Sequence, residues 1–311
     1  YRAYSFKEDK EFKLIKKYFK IDKLNQIEFI YHIIKFLIIN LIKLEINKNI
    51  QISQKDIIKK ILEITKNKYY VNNFLKIKEI KYSKDKNKNY KKFIKDFINF
   101  FNNYIDTKYK NSKIIKFIRH QKTSFDNKIF LGQSIDANIS KTKKIDIPCK
   151  KNIDLCFSSP LKRCVQSTKL ITNINIIKRD ELKEIDYGLA EGLNLVKLSR
   201  QFPQIIEAWN NKKDIAFPKG ESTTTVKKRL LKFINTILTE KYLKDHKNIL
   251  VMSHNVVLRI LIGQHFLIPR SEIFKINIDY LSFYEFLLLD NKLVPNIKRE
   301  NFDKIFKKIY A

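Results

Sequence analysis

Two histidines and two arginines stand out in this chain because each lies just after a short apolar run. Arg119-His120 follows residues 114–118, Ser253-His254 follows residues 249–252, and Ser158-Ser159-Pro160 follows residues 153–157, with Arg163 a few positions on. Runs of this length and composition read as buried strands. Polar residues that follow the strands of a parallel sheet stand where such sheets bind ligands. The residue types suit phosphate chemistry. Arginine meets phosphate oxygens with parallel N–H donors and stays charged. A neutral imidazole attacks phosphorus when its other nitrogen is held as a donor, which fixes the tautomer. The leaving oxygen needs a proton, and Glu184, Asp186 and Glu191 are the carboxylic acids at hand.

The elements that must position these groups can be read along the chain. From residue 113 onward, expected strands at 114–118, 153–157, 249–252 and 283–289 alternate with expected helices at 161–171, 223–238 and 256–266. In the second of these helices, Val226, Leu230, Phe233, Ile234 and Ile237 form one apolar face. This alternation predicts an α/β domain with a mostly parallel sheet, over residues 113–311. Residues 1–112 read instead as a helical region. Ile27, Ile30, Ile34, Leu37, Ile38 and Leu41 recur at helical spacing, as do Phe93, Ile94, Phe97, Ile98, Phe101, Tyr104 and Ile105. Ser53 and Asp56 precede Ile57, Ile58, Ile61 and Leu62 as a capped helix start. The polar stretches 83–89 and 106–113 read as loops.

Five segments carry a resemblance. They are FIRHQKTSF at 117–125, SSPLKRCVQST at 158–168, LKEIDYGLAEG at 182–192, FPKGEST at 217–223 and VMSHNVVLRILIG at 251–263. In this order, over roughly residues 113–290, the chain resembles the histidine phosphatase superfamily, the phosphoglycerate mutase-like family, and its phosphatase branch in particular. The resemblance implies a three-layer α/β/α domain. It implies that His120 is the nucleophile and carries the phosphoryl group, and that Arg119, Arg163 and His254 hold the phosphate oxygens. It implies that Glu184 protonates the leaving oxygen and then activates water, a choice over Asp186 and Glu191 made on motif position. Thr123 and Gly132 fall where the family builds its phosphate and substrate loop. The chain departs from the pattern at Gln121, Lys122 and Asn255. Gln121 places a side chain where the backbone turns close to phosphate, either to bond the substrate or to distort the loop. Glu221 and Ser222 either line the site or start the helix that follows. No metal and no cofactor are expected, since arginine and histidine supply the positive charge.

Composition narrows the function classes. The net charge is +32, with 27 Lys+Arg against 12 Asp+Glu in residues 1–112 and 37 against 20 in the remainder. The excess is spread along the chain and is almost all lysine, which reads as compositional bias rather than a nucleic-acid footprint. A basic surface also steers anionic substrates inward. Cys149, Cys156 and Cys164 form no CxxC pair, so neither a disulfide framework nor a zinc site is expected, and a cytoplasmic setting fits. The apolar stretch at 29–44 is interrupted by His32, Lys35 and Asn40, too polar for a membrane span. His32, His246 and His265 read as structural or exposed. The chain begins with Tyr rather than Met and reads as a fragment or processed form.

The expected function is a phosphomonoesterase acting on a small phosphorylated metabolite such as a sugar phosphate. The alternatives are a mutase-type phosphotransferase and a catalytically impaired binding or regulatory protein. The expected lid, 194–219, is short and contains Phe202-Pro203 and Trp209 either to cover a ligand or to pack; a short lid favours water and hydrolysis. The partner is the small substrate, and the helical region offers a surface for an oligomer.

Overall fold

The computed structural model describes residues 52–80, 112–125, 128–140, 152–239, 241–265, 270–289 and 291–296, with single positions inside 34–42 and 96–107. The region beyond residue 112 is a layered α/β unit, as the alternation predicts. Its strands are β1 (Lys113–Arg119), β2 (Leu155–Ser158), β3 (Ile176–Lys178), β4 (Asn248–Ser253), β5 (Phe283–Leu289) and β6 (Lys292–Pro295). They form one sheet in the order β3-β2-β4-β1-β5-β6. The first four run parallel, while β5 pairs antiparallel with β1 and β6 antiparallel with β5.

The two faces of the sheet follow from the period-2 alternation of side chains. Ile115 and Phe117 of β1, Leu155 and Phe157 of β2, and Ile249 and Val251 of β4 enter one large hydrophobic cluster. Ile118, Cys156, Leu250 and Met252 face the other way. There they meet Cys164 and Ile171 of helix α3 (Lys162–Ile171). The larger cluster is covered by α6 (Thr223–Thr236) and α7 (Asn255–His265). Helix, sheet and helix therefore make three layers. β4 is buried along almost its whole length because it is central and covered on both faces, which is why it reads as an unbroken apolar run.

Local chemistry sets the helix starts. In α1 (Gln54–Thr65), Ser53 and Asp56 form the reciprocal capping box expected of them. α6 begins at Ser222, whose side chain accepts from the Thr225 N–H. α4 (Leu195–Gln201) begins at Asn194 in the same manner, and α5 (Pro203–Asn210) begins on proline. α3 has no side-chain cap of its own. Asp136, from a distant loop, accepts from Lys162 N at 2.7 Å instead.

In the helical region, α1 is followed by α2 (Lys68–Ile80). Ile34, Ile38 and Ile42 are buried at helical spacing, as are Phe97 and Phe101. With Ile57, Ile61 and Phe74 they belong to the same cluster as the sheet's larger face. The expected loop at 106–113 is narrower than read: Thr107 is still helical, its hydroxyl bonded to Asn103 O, and Lys113 already belongs to β1. Ile27, Ile30, Leu37, Leu41, His32, Phe93, Ile94, Ile98, Ile105, the stretch 83–89 and Cys149 lie outside the described residues. No helix among the described residues is long and apolar enough to cross a membrane.

Candidate active site

Strand register brings the two histidines together. Arg119 pairs with Ser253 across β1 and β4, so the next residues, His120 and His254, emerge side by side at the carboxyl edge. Ser158 pairs with Met252, which sets Ser159 next to them. The ladder continues past the strands, from His120 N to Ser253 O at 3.1 Å and from Ser159 N to Met252 O at 3.0 Å. The imidazole centroids are 5.0 Å apart and the rings are inclined at 63°.

Hydrogen bonds assign the tautomers. Nδ1 of His120 lies 2.6 Å from the Gln121 carbonyl oxygen, so Nδ1 carries the proton and Nε2 keeps its lone pair. Arg163 Nε donates to Nδ1 of His254 at 3.2 Å, so Nε2 of His254 carries its proton and donates to Ser159 Oγ at 2.8 Å. Burial pushes both imidazoles well below the usual histidine range. For His120 the Arg163 and Arg119 cations add to this; for His254 it is Arg163 first, then His120, Arg229 and Arg119.

The arginines are held by main-chain carbonyls. Arg163 is 1% exposed. A buried guanidinium costs several kcal/mol unless its donors are met. Here Nη2 donates to Gly132 O at 2.6 Å and Nη1 to Ile135 O at 3.4 Å, in addition to the bond with His254. Arg119 donates through Nη1 to Ile278 O, and its guanidinium lies 3.8 Å from the centroid of the Tyr280 ring. Its Nε is buried and has no hydrogen-bond partner among the described residues.

Glu184 is the carboxyl group at the centre. It is buried, and its oxygens accept from Ile185 N at 3.0 Å and Val256 N at 3.2 and 3.4 Å. Burial raises its pKa above the ordinary 4.5, against the lowering effects of Arg163, those two N–H groups and Arg119. The rival acids are engaged elsewhere. Glu191 accepts from the N–H groups of Gly132, Ser134 and Ile135, and so locks that loop. Asp186 accepts from Gly188 N.

The sequence-predicted residues therefore separate into groups. His120, Arg163, His254 and Glu184 converge, and Gly132 joins them through its carbonyl. Arg119 reaches the centre with its charge and turns its Nη1 to the 278 carbonyl. The buried side chain of Gln121 folds back, Oε1 accepting from Lys122 N at 2.9 Å, while its own N–H donates to Ser167 Oγ. Thr123 is buried in a bridge with Ile139, which ties the 121–124 and 138–140 segments together. Among the lid aromatics, Trp209 packs edge-on against Phe217, and Phe217 against Tyr187. Glu221 forms an ion pair with Arg229. His265 is buried within α7 and His246 lies 3.9 Å from Asp154.

Two neighbours, Tyr280 and Arg229, escaped the sequence reading, and a third, Ser159, was named there without a role. Tyr280 stacks on Arg119 and lies 5.9 Å, centroid to centroid, from His120. Ser159 bonds His254, and Arg229 binds the main chain of the Glu184 segment. Ser159 was signalled by the Ser-Ser-Pro segment; Tyr280 sits in a loop and Arg229 on a basic helix face, where no local pattern marks them.

Known proteins share segments of this sequence and its fold. Residues 147–301 match the profile of the histidine phosphatase superfamily, branch 1. Phosphoserine phosphatase 1 of Hydrogenobacter thermophilus is 30% identical over 116 residues, 35% of this chain and 53% of that protein. The 2,3-bisphosphoglycerate-dependent phosphoglycerate mutase of Parvibaculum lavamentivorans is 26% identical over 132 residues, 40% of this chain and 62% of that protein. The chain thus spans less than two thirds of the curated relatives it matches. A crystal structure of phosphoserine phosphatase from Entamoeba histolytica, in complex with 3-phosphoglyceric acid, shares the fold with TM-score 0.51 and 18% identity, over 58% of this chain and 94% of that one. The chain belongs to the histidine phosphatase superfamily. The profile match begins after Arg119-His120, so it is the pairing of β1 with β4 that brings the first histidine to the second.

Proposed function

We propose that the protein is a phosphomonoesterase that hydrolyses a small phosphorylated metabolite, such as a sugar phosphate, through a phosphohistidine on His120. The observation that carries this reading is the His120 ring, its Nδ1 proton held by the Gln121 carbonyl and its Nε2 left as a lone pair beside His254. In the first step a bond forms between Nε2 and phosphorus while the phosphorus–oxygen ester bond breaks. The leaving oxygen takes its proton from Glu184, whose buried carboxyl favours the neutral acid. In the second step water attacks phosphorus, Glu184 takes the water proton, and phosphate leaves His120. Arg119, Arg163 and His254 stabilise the charge on the transferring group, each contact contributing on the order of 2–4 kcal/mol. Gly132, Thr123 and Gln121 belong to the loop that surrounds the substrate. His120→Ala is expected to abolish turnover across a panel of phosphorylated metabolites, and wild-type turnover in that variant overturns the mechanism.

A second reading, phosphoryl transfer of the mutase kind, is favoured by one feature: the reacting groups are almost wholly buried, which shields a phosphohistidine from water. The short lid, two helices of 7 and 8 residues, favours hydrolysis instead. Label from a phosphorylated donor that appears on a second acceptor rather than in free phosphate decides for the mutase. The remaining parts of the reading are a helical region up to residue 112 with an accessory or oligomer-forming role, no nucleic-acid partner, and a cytoplasmic setting. The last is supported by the unpaired buried thiols of Cys156 and Cys164.

A further inference from the structure

Arg229 of α6 makes no contact with the Glu184 carboxyl group, yet its guanidinium is spent on that residue's segment. Nη1 donates to the carbonyl oxygens of Glu181 and Lys183, both at 2.7 Å. Nη2 donates to Glu184 O at 3.0 Å and to Glu221 Oε2 at 2.9 Å, and Nε to Glu221 Oε1 at 2.9 Å. These five bonds match the five N–H donors of the fork. The ion-paired side chains are 17% and 16% exposed, a setting in which the pair is only partly screened.

The network continues to the substrate loop. Gln133 Nε2 donates to Glu184 O at 2.8 Å and to Glu221 Oε2 at 3.4 Å. Glu221 also accepts from Asp186 N and donates its own N–H to Asp186 O. The main chain on both sides of Glu184 is therefore fastened to α6 and to the loop that Arg163 grips at Gly132 and Ile135. A carboxylic acid must stand within hydrogen-bond reach of the leaving oxygen to deliver its proton, and an ångström of displacement costs about a hundredfold in rate.

We propose that Arg229, through its pairing with Glu221, is a positioning residue that sets where Glu184 delivers its proton. This rests on the reading of Glu184 as the acid. The test compares kcat/KM of the full chain on p-nitrophenyl phosphate, whose leaving group departs without a proton, with that on glycerol 2-phosphate, whose alkoxide needs one. Wild type, Glu184→Gln, Arg229→Met and Arg229→Lys are measured side by side, each with its thermal midpoint. Glu184→Gln is expected to lose roughly 10²–10⁴-fold on the alkyl ester and far less on the aryl ester. Arg229→Met shows the same bias, with an alkyl loss about tenfold or more beyond the aryl loss. Arg229→Lys, which keeps the charge but not the planar fork, falls between. Equal losses on both esters in the Arg229 variants, beside a biased Glu184→Gln, overturn the positioning role and leave the acid in place. An unbiased Glu184→Gln overturns the acid assignment itself. Where the Met variant does not fold, the ratio in the Lys variant decides.

Discussion

Phosphorus is attacked by imidazole, not imidazolium, so under the proposed mechanism the protonation state of His120 decides whether the site works. Burial and two guanidinium groups hold that ring neutral well below pH 6.5. Glu184 must do the opposite and keep its proton above pH 4.5, which burial arranges. The free enzyme is then competent in a window bounded below by His120 and above by Glu184. As pH falls through the lowered imidazole pKa, activity declines because the nucleophile is protonated. As pH rises through the raised carboxyl pKa, it declines because the acid is spent. A kcat/KM profile on an alkyl phosphate is expected to show both limbs, and Glu184→Gln to remove the upper one. At this scale much was legible in the sequence. His120, Arg163, His254 and Glu184 were marked by their places after strands and within motifs. Arg229 was not, since Lys227, Lys228 and Lys232 on the same helix hide one partly buried cation among solvated ones. Nor was the ring of Tyr280 over Arg119, because that pairing depends on a turn far along the chain.

Secondary-structure elements carry these groups, and two crossing segments adjoin Glu184. Residues 186–188 and 218–220 approach so closely that only glycine fits between them. A Cβ on Gly220 would stand 2.4 Å from Asp186 O and 2.8 Å from Gly188 N. Gly188 has φ of +51° and Pro218 O directly against it. Gly220→Ala is expected to cost about 1–3 kcal/mol of stability, as overpacking does, and to lower activity further by moving the 182–188 segment; urea denaturation and kcat/KM measure the two effects separately. The strand at 249–252 was readable because burial on both faces leaves an unbroken apolar run, and those at 114–118 and 283–289 because a single polar residue, Lys116 or Glu285, interrupts an otherwise apolar run. β3 was not, since three residues at the edge show no alternation, and β6 was not, since its final Pro295 marks an edge strand and reads as a loop. The lid helices α4 and α5 are too short for a periodic signal.

For the molecule as a whole, buried histidines govern the response to acid. His265 sits inside α7, and burial lowers its pKa to about 4. In the unfolded chain it titrates near 6.5, so between these values the unfolded state binds more protons and is favoured. Stability is complete above pH 6.5 and is lost as pH falls towards 4, by about 3 kcal/mol from this residue. His120 and His254 act in the same direction, and Glu184 in the other. The urea midpoint is expected to drop across that interval, and His265→Asn to flatten the drop. An unchanged midpoint in the native chain contradicts the assignment of these rings as neutral. The pairing of β1 with β4 has one more consequence. His120 and His254 become neighbours through hydrogen bonds between chain segments that synthesis lays down far apart, and a slip of a single rung would send an imidazole through to the opposite face. Assembly of the sheet and the meeting of the two imidazoles are thus one event, and a half-built chain has no such pair.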